Sequence, residues 1–410
     1  MDSNLPGSTP PAPQPALRAE ALIDLAALRG NLDALRARTG SAAVMSVVKA
    51  DAYGHGLVPC ALAALDAGVT WLGTATPEEA LALRAAGITA DRARVLCWLW
   101  TPAGPWEQAV AAEIDISVSG EWALREVLAA VRATGRPARI HLKADTGLGR
   151  NGAQPHDWPA LVAAARAAEA EGLLTVAGIW SHFACADEPG HPANEAQLVA
   201  FREALAVAET AGLRPEVRHL ANSPATLLMP ETHFDLVRAG LAQYGLSPVP
   251  EVGGPADFGL RPVMTLQARL AQVKTVPAGH GVSYGHTHTT AGRTTLALVP
   301  VGYADGIPRH ASSTGPVWLG GKWHTVAGRV AMDQFVLDLG GDHAEVGDLA
   351  VLFGPGDRGE PTAEDWALAC GTISYEIVTR IGVRVPRRYV GALDGARGGA
   401  PVESLEGGGG

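Results

Sequence analysis

Lysine is scarce in this chain of 410 residues. Only four lysines, Lys49, Lys143, Lys274 and Lys322, stand against twenty-eight arginines, so arginine carries almost all of the positive charge. Arginine stays protonated and cannot act as a nucleophile, whereas a desolvated lysine amine can lose its proton and form a Schiff base with an aldehyde. Each lysine is therefore a position where chemistry, rather than charge alone, can explain the residue type.

Other features are also missing, and their absence narrows the function. The four cysteines, which are scattered without C-x-x-C spacing, argue against a zinc site or a disulfide framework and favour the cytoplasm. No apolar run reaches the roughly 18 residues that a membrane helix needs. The net charge of −10 leaves no basic patch for nucleic acid or anionic lipid. We expect a soluble cytoplasmic protein with neither kind of partner.

The part of the chain between residues 27 and 252 alternates strand-like runs with alanine-rich helical stretches. Eight strands in about 225 residues give about 28 residues per unit, the spacing of a (β/α)8 barrel, whose functional side chains cluster at the carboxyl ends of its strands. The predicted strands are Val44–Val48, Trp71–Ala75, Arg94–Trp98, Ile114–Val118, Arg139–Lys143, Val176–Ser181, Val217–Leu220 and Leu236–Val237, with helices such as Pro77–Ala86, Glu121–Ala133 and Glu195–Ala211 between them.

A mostly β second domain is predicted over residues 253–396, where strands rich in glycine and valine follow one another without helical spacers. Its predicted strands include Thr294–Val301, Val317–Trp318, Thr325–Val330 and Phe335–Asp338. Residues 17–26 are expected to form a strand that joins this domain. Residues 1–16, which lack the basic start and apolar core of a signal peptide, and residues 397–410 are expected to be disordered tails.

The segment Ser46–Gly56 runs from a β-branched stretch through Lys49 into a turn flanked by glycines. From spacing alone, Lys49 is either a lysine at a strand end, with its amine reaching solvent, or a Schiff-base lysine. The wording Val-Val-Lys-Ala-Asp-Ala-Tyr-Gly-His-Gly resembles the pyridoxal 5′-phosphate (PLP) attachment segment of the alanine racemases. The resemblance implies that PLP is the cofactor and that Lys49 forms the Schiff base with it.

Further segments that resemble this family follow in order along nearly the whole ordered chain. They are His141–Arg150, Ser181–Ala184, Ala221–Ser223, Val237–Gly240, Ser283–Gly285, Gly302–Gly306, Gly328–Asp333 and Ser374–Glu376. Any one of these segments alone would be weak evidence. Because eight of them occur in this order on a barrel followed by a β domain, the chain is identified as a member of the alanine racemase family. The implied reaction interconverts L- and D-alanine and supplies D-alanine for cell-wall peptidoglycan.

Inversion at a planar carbanion needs a base on each face. The resemblance assigns one face to Lys49 and the other to Tyr284, with His182 as the neighbour that polarises the phenol. Taken singly, Tyr284 would be an ordinary strand aromatic and His182 a core histidine. The resemblance also implies a homodimer with shared active sites, in which Tyr284 and Met332 reach into the partner's site.

Arg238 is implied to face the pyridine nitrogen of PLP. Because guanidinium only donates hydrogen bonds, that nitrogen stays unprotonated, which weakens electron withdrawal into the ring and limits transamination. The alternative from the residues alone is an ion pair between Arg238 and Asp235.

The remaining site residues come from the same resemblance. The implied cofactor contacts are Lys49, Tyr53, Arg150, His182, Asn222, Ser223, Arg238, Gly240, Leu241 and Tyr375, and the implied substrate contacts are Arg150, Met332, Asp333 and Tyr303. Ser223 could also cap a helix. Lys143 corresponds to a lysine that is often N-carboxylated and holds Arg150, although it could simply pair with Asp145. Ala331 departs from the cysteine of many relatives, which leaves thiol sensitivity and fine substrate preference open.

Two other motifs could indicate a dinucleotide site and a metal site, but each is weak evidence. Gly147, Gly149 and Gly152 satisfy G-x-G-x-x-G, yet the prolines that follow delay the helix that a dinucleotide site requires. His280, His286 and His288 lack a carboxylate or cysteine in register, so no metal is expected there.

Two rival functions remain open. One is an amino acid racemase or decarboxylase of another specificity on the same barrel; the decarboxylases place a glutamate where this chain has Arg238. The other is a non-enzymatic PLP carrier, which usually consists of the barrel alone and would not need Tyr284 or the β domain.

Overall fold

The computed structural model describes residues 17–391. The tails expected at residues 1–16 and 397–410, and residues 392–396 of the expected β domain, lie outside that range. The chain begins with strand β1 (Ala19–Asp24) and helix α1 (Leu25–Arg38). Asp24 ends the strand and caps the helix, since its Oδ1 accepts hydrogen bonds from the Ala26 and Ala27 amides at 2.9 and 3.0 Å.

The predicted (β/α)8 barrel is confirmed. Its eight parallel strands are β2 (Ala43–Val47), β3 (Trp71–Thr74), β4 (Arg94–Cys97), β5 (Asp115–Val118), β6 (Ala138–Lys143), β7 (Leu174–Trp180), β8 (Val217–His219) and β9 (Leu236–Ala239). The sheet runs in chain order from β8 back to β2 and then to β9. Backbone hydrogen bonds from Asp235 to Arg218 and from Arg238 to Ala221 join its two ends, so the barrel is nearly closed.

Helices connect these strands on the outside of the barrel. They are α2 (Lys49–Gly54), α3 (Leu57–Asp66), α4 (Pro77–Ala85), α5 (Trp106–Ala111), α6 (Glu121–Thr134), α7 (Trp158–Ala170), α8 (Pro192–Thr210) and α9 (Ser223–Leu228). Capping residues mark where some of these helices begin. At the N-terminus of α4, Thr76 and Glu79 form a reciprocal capping box, and Pro77 lies in the first turn. The short α2, which is the connection after β2, is exceptional and is described below.

The second domain is mostly β, as predicted. Its strands are β10 (Met264–Arg269), β11 (Gln272–Val276), β12 (Gly281–Val282), β13 (His288–Thr289), β14 (Thr294–Val299), β15 (Pro316–Leu319), β16 (Lys322–Thr325), β17 (Phe335–Asp338), β18 (Leu349–Phe353) and β19 (Arg387–Val390). A six-stranded sheet has the order β16-β15-β18-β10-β1-β19, and β11, β14 and β17 form a second sheet. Strand β1 therefore lies between two strands that are more than 240 residues away in sequence.

Two details of this domain differ from the sequence expectation. The strand predicted over Thr325–Val330 is wrong, because β16 ends at Thr325 and Gly328 takes φ +76°, a value that breaks an extended strand. The domain also contains two helices, α10 (Ala363–Cys370) and α11 (Ser374–Thr379), which were not predicted. Helix α11 packs against α2 and thereby carries part of the second domain to the barrel mouth.

The turn α2 is left-handed. Four consecutive residues, Ala50 to Tyr53, have φ between 52° and 55°, a conformation that costs roughly 1–2 kcal/mol per residue for L-amino acids. The buried His55 offsets part of this strain, because its Nδ1 donates to the carbonyls of Ala52 and Tyr53 at 3.0 and 2.9 Å. Glu79 accepts from the Ala50 amide at 2.6 Å. The surrounding fold thus holds the residues after Lys49 in one strained arrangement.

Replacing Ala50 by glycine is expected to raise the free energy of unfolding. Ala50 is exposed and left-handed, so glycine removes strain of about 1–2 kcal/mol and loses less than that to unfolded-chain entropy, leaving a gain of up to about 1 kcal/mol. The matched control is Ala206→Gly in the right-handed helix α8. This substitution should lower the free energy of unfolding by about 1 kcal/mol. Urea unfolding measures both. A loss at position 50 equal to that at position 206 would contradict the interpretation.

Candidate functional site

A cavity of about 620 Å³ opens at the carboxyl ends of the barrel strands. Eleven residues singled out from the sequence line it: Lys49, Tyr53, Lys143, Arg150, His182, Asn222, Ser223, Arg238, Gly240, Leu241 and Tyr375. Ten of them come from the barrel, and Tyr375 comes from α11 of the second domain. The structure therefore gathers the barrel-side residues of the predicted site into one pocket.

Lys49 directly follows Val48 at the end of β2 and enters the pocket. Its Nζ lies 5.9 Å from the ring centroids of both Tyr53 and Trp98. Burial, with the positive charge of Arg150 as the next cause, lowers the pKa of this amine from its ordinary value. A lowered pKa makes a free amine available for attack on a carbonyl group, which is what Schiff-base chemistry requires.

Lys143, the last residue of β6, is almost fully buried in the same pocket. Its Nζ lies 4.2 Å from the ring centroid of Trp180. Burial, followed by the charges of Arg238 and Arg150, lowers its pKa to about 7. The alternative pairing with Asp145 is not formed, because that carboxylate accepts from the amides of Gly147 and Gly149 and from Gln154, at 2.8 to 3.1 Å.

Arg238 is held from several sides on β9 and is 4 % exposed. Its Nη2 lies within donating distance of the Ser181 and Leu220 carbonyls, at 2.8 and 2.9 Å. Its guanidinium carbon lies 4.9 Å from the ring centroid of Trp180. The alternative ion pair with Asp235 is wrong, because Asp235 pairs with Arg218 at 2.6 Å.

Two histidines also accept hydrogen bonds from Arg238. Nη2 lies 3.0 Å from His182 Nδ1, and Nη1 lies 3.1 Å from His219 Nδ1. Burial and then the charge of Arg238 lower the pKa of His182 well below its ordinary value, so the ring is neutral at pH 7. Since guanidinium only donates, His182 Nδ1 is the acceptor and its hydrogen lies on Nε2.

A set of hydroxyl groups and amides lines another part of the pocket. Ser223 Oγ accepts from the Gly240 amide at 2.9 Å, which leaves its own hydrogen free to donate. The alternative role of Ser223 as a helix cap is wrong, because Asn222 caps α9 and Ser223 is its first residue. A Cβ at position 240 would lie 2.6 Å from the Tyr53 hydroxyl, so a larger residue here would have to displace that hydroxyl.

The charge of this pocket is one-sided. Its lining contains two lysines and two arginines, Lys49, Lys143, Arg150 and Arg238, and no aspartate or glutamate. Burial also raises the phenol pKa values of Tyr53 and Tyr375, so both hydroxyls remain hydrogen-bond donors at neutral pH. The arrangement suits a ligand that carries more than one negative charge.

The second-domain residues of the predicted site, Tyr375 excepted, do not reach this pocket within the chain. Tyr284, Tyr303 and Met332 are 70, 41 and 52 % exposed. Asp333 is also exposed and pairs with Arg384 at 2.7 Å.

Backbone contacts place these residues on one face. Ser283 Oγ donates to the Arg329 carbonyl at 2.6 Å, and the Tyr303 amide donates to the Ala331 carbonyl at 3.1 Å. The turns that carry Tyr284 and Tyr303 therefore both flank the segment at residues 328–333. We call the exposed residues Tyr284, Tyr303, Met332 and Asp333 the second-domain face.

The two weak motifs have ordinary structural roles. Helix α7 begins only at Trp158, so no helix opens directly after Gly152. His288 Nε2 lies 2.8 Å from Asp338 Oδ2. Between residues 17 and 391, no group of three or more histidine, cysteine or acidic side chains is arranged to hold a metal ion.

The sequence interpretation missed several pocket residues, including Trp98 and Trp180. Both lie at the carboxyl ends of barrel strands, since Trp98 follows β4 and Trp180 ends β7. The rule that selected Lys49 and His182 would have found them as well. Asn151 and Thr379 also line the pocket, and no sequence pattern marks them.

The molecule is thus defined as a (β/α)8 barrel joined to a β domain, with a buried, strongly cationic lysine site at the barrel mouth. Along residues 17–391, no helix is both long enough and apolar enough to span a bilayer.

Comparison with known proteins identifies the family. The family description "Alanine racemase, N-terminal domain" matches residues 23–248, and "Alanine racemase, C-terminal domain" matches residues 263–389. The curated alanine racemase of Streptomyces coelicolor is 71 % identical over 377 residues, covering 91 % of this chain and 96 % of that protein. The chain belongs to the alanine racemase family.

Solved structures agree with this assignment. The alanine racemase of D-cycloserine-producing Streptomyces lavendulae superposes with a TM-score of 0.91 at 67 % identity, covering 93 % of this chain and 99 % of that one. The enzyme of Streptomyces coelicolor A3(2) gives 0.90 at 71 % identity, covering 92 % and 98 %.

Proposed function

We propose that this protein is a cytoplasmic, PLP-dependent isomerase that interconverts L- and D-alanine by two-base proton transfer and so supplies D-alanine for peptidoglycan. The observation that carries the proposal is the pocket itself. Its lining combines Lys49, whose amine has a lowered pKa, with three further basic side chains, Lys143, Arg150 and Arg238, and it contains no aspartate or glutamate. An aldehyde that also carries a phosphate satisfies both features at once.

The residues present fit PLP. The cofactor, when bound, supplies an electron sink for the α-carbanion of an amino acid. Lys49 provides the amine that holds its aldehyde. The hydroxyls of Tyr53, Ser223 and Tyr375, with the amides of Gly240 and Leu241, provide donors for a phosphate dianion. Asn222 lines the same pocket and completes the proposed cofactor contacts.

Arg238 distinguishes racemisation from other PLP-dependent reactions. Its free N–H groups can only donate, so a ring nitrogen beside it remains an unprotonated acceptor. A carboxylate in this place would do the opposite and favour stronger electron withdrawal into the ring. The several contacts that fix Arg238 therefore support racemisation over the rival decarboxylase function.

The second base and the homodimer belong together in this proposal. Lys49 serves one face of the substrate, and Tyr284 must come from elsewhere because it is largely exposed in its own chain. We propose that the second-domain face of one subunit covers the pocket of the other. Tyr284 then meets the Nε2–H of His182, which stabilises a phenolate by donation. Met332, Asp333 and Tyr303 join Arg150 around the alanine carboxylate.

Proton exchange tests the function directly. Purified protein incubated with PLP and L-alanine in D2O is expected to yield D-alanine, with deuterium at the α-carbon of both enantiomers as equilibrium is approached. Chiral chromatography with mass spectrometry measures both products. Carbon dioxide release would favour the decarboxylase, and binding of PLP without any exchange would favour the non-enzymatic carrier.

Carboxylation of Lys143 is expected to depend on pH. Only an unprotonated amine adds carbon dioxide, and the pKa of Lys143 is lowered to about 7. The adduct should therefore be present at pH 8 and should diminish as pH falls through 7, since the amine then gains a proton. 13C NMR after addition of labelled bicarbonate measures it. Lys143→Ala should remove the resonance, whereas replacement of the exposed Lys274 should not. A resonance unchanged by Lys143→Ala would contradict the assignment.

A further inference from the structure

A layer of buried polar side chains crosses the barrel behind Arg238. It contains Asp115, His141 and His219, and each has no solvent exposure. Asp115 is the first residue of β5, His141 lies within β6, and His219 ends β8. Such a layer is unusual, because the interior of a (β/α)8 barrel is normally filled by branched apolar residues. We call these three residues the polar layer.

The barrel is shaped to admit this layer. A Cβ at position 178 would lie 2.2 Å from His141 Nδ1, so the glycine of β7 makes the room that the ring occupies. The pairing of β6 with β7 shifts register between Ile140 and His141 at the same place. The rings of His219 and Trp180 stack with their planes 7° apart, which fixes the second imidazole.

Hydrogen bonds connect the layer into one chain. Asp115 Oδ2 lies 3.2 Å from His141 Nε2, and His141 Nδ1 lies 2.9 Å from His219 Nε2. His219 Nδ1 lies 3.1 Å from Arg238 Nη1. At the far end, Arg139 Nε and Nη2 donate to Asp115 Oδ1 and Oδ2 at 3.0 and 3.3 Å, and Arg139 Nη1 pairs with Glu216 at the surface.

The groups at the two ends of this hydrogen-bond chain, Asp115 and Arg238, allow only one arrangement of the hydrogens between them. Arg238 can only donate, so His219 Nδ1 must accept and the hydrogen of His219 must lie on Nε2. His141 Nδ1 then accepts that hydrogen, so His141 is neutral and carries its own hydrogen on Nε2. The ionised carboxylate of Asp115 accepts the last hydrogen. Every donor meets one acceptor, and reversal of any bond places two hydrogens face to face at Arg238.

We propose that Asp115 is a positioning residue for the pyridine-facing arginine, acting through the tautomers of His141 and His219. It does not touch substrate or cofactor. By keeping His219 Nδ1 an acceptor, it holds the Arg238 guanidinium with its remaining N–H groups toward the pocket. The effect on catalysis rests on the proposed function, whereas the proton positions depend on the barrel alone.

The informative variant is Asp115→Asn, which has nearly the same shape. If the new amide oxygen accepts from Arg139, its NH2 group faces His141 Nε2 and forces that nitrogen to accept. Both imidazoles then carry hydrogen on Nδ1, and His219 opposes Arg238. If the amide turns over, its NH2 group opposes the Arg139 Nε–H instead. In neither orientation does every hydrogen-bond donor between Arg139 and Arg238 face an acceptor.

Neutron diffraction from crystals of the holoenzyme locates these hydrogens. The wild type is expected to show Nε2–H on His141 and on His219. Asp115→Asn is expected to show Nδ1–H on both when its amide oxygen faces Arg139 and its NH2 group faces His141, and the same map shows which way the amide lies. Racemisation in the variant should fall roughly 10- to 100-fold in kcat with a smaller change in KM, by analogy with the hydrogen-bond partners that orient metal ligands. Glu216→Gln is the matched control, because it makes the same carboxylate-to-amide change beyond Arg139 and should leave both tautomers unchanged.

The outcomes separate the inference from the proposed function. A wild-type map with hydrogen on His219 Nδ1 overturns the inference, even if Asp115→Asn does not fold. Unchanged tautomers in a folded Asp115→Asn protein whose amide NH2 group faces His141 overturn it equally, as does full kcat with reversed tautomers. If the wild-type protons are found as expected but the protein does not racemise alanine, the proposed function fails while the polar layer retains its assigned protons.

Discussion

Replacing Lys49 by alanine should abolish both attachment of PLP and racemisation. The amine of Lys49 is proposed as the attachment point and as one of the two bases, so its loss should lower kcat by at least about 10³-fold. The visible absorbance of the bound cofactor should disappear, and borohydride should no longer fix a pyridoxyl group to the chain. Absorbance spectroscopy and peptide mass spectrometry measure these two results.

The chain offers its own controls for this experiment. Lys274 is exposed on β11, so Lys274→Ala should leave labelling and rate unchanged. The wild-type protein treated with borohydride should carry the pyridoxyl group on Lys49. Finding it on Lys143, the other buried lysine of the pocket, would reverse the roles assigned to the two amines.

Mixing two inactive variants should restore activity if the sites are shared between subunits. Lys49→Ala removes one base and Tyr284→Ala removes the other, so each homodimer alone should be inactive. In a two-fold symmetric heterodimer, one site carries both lesions and the other carries none, which restores up to about half the activity of a wild-type dimer. Racemase assays after the two chains are denatured together and refolded measure the recovery.

This experiment depends on proof that heterodimers form. Native mass spectrometry of differently tagged chains supplies that proof. Heterodimers without recovered activity would show that each site is built within one chain. A fully active monomer in sedimentation would contradict shared sites more directly. A useful control pairs Lys49→Ala with Lys143→Ala, because both residues lie in the same pocket and no dimer could then contain an intact site.

The barrel strands were predictable from the sequence because most are short, largely apolar runs between helical stretches. Their observed bounds differ from the predicted ones by two residues or fewer. The second domain was harder to predict. Helices α10 and α11 interrupt it, and β16 ends at Thr325, before Gly328 turns the chain away from an extended path. Short helices and glycine turns depend on tertiary contacts more than on local periodicity.

The sequence by itself determined which residue types could do the chemistry and which ends of the strands would present them. Lys49, His182 and Arg238 follow from that rule, since parallel strands all deliver their carboxyl ends to one side of a barrel. The resemblance of the segment around Lys49 to the alanine racemases added the expectation that the cofactor is PLP.

Only the tertiary structure decided how these groups influence one another. Strand register places His141 against Gly178 and His219 against Arg238, and no local pattern encodes those contacts. The lowered pKa values of Lys49 and Lys143 arise because folding buries both amines and brings arginines from other barrel strands and loops beside them, Arg150 for Lys49 and Arg238 for Lys143. The exposure of Tyr284 is likewise a property of the folded chain, since burial depends on what packs against a residue and not on the residue itself.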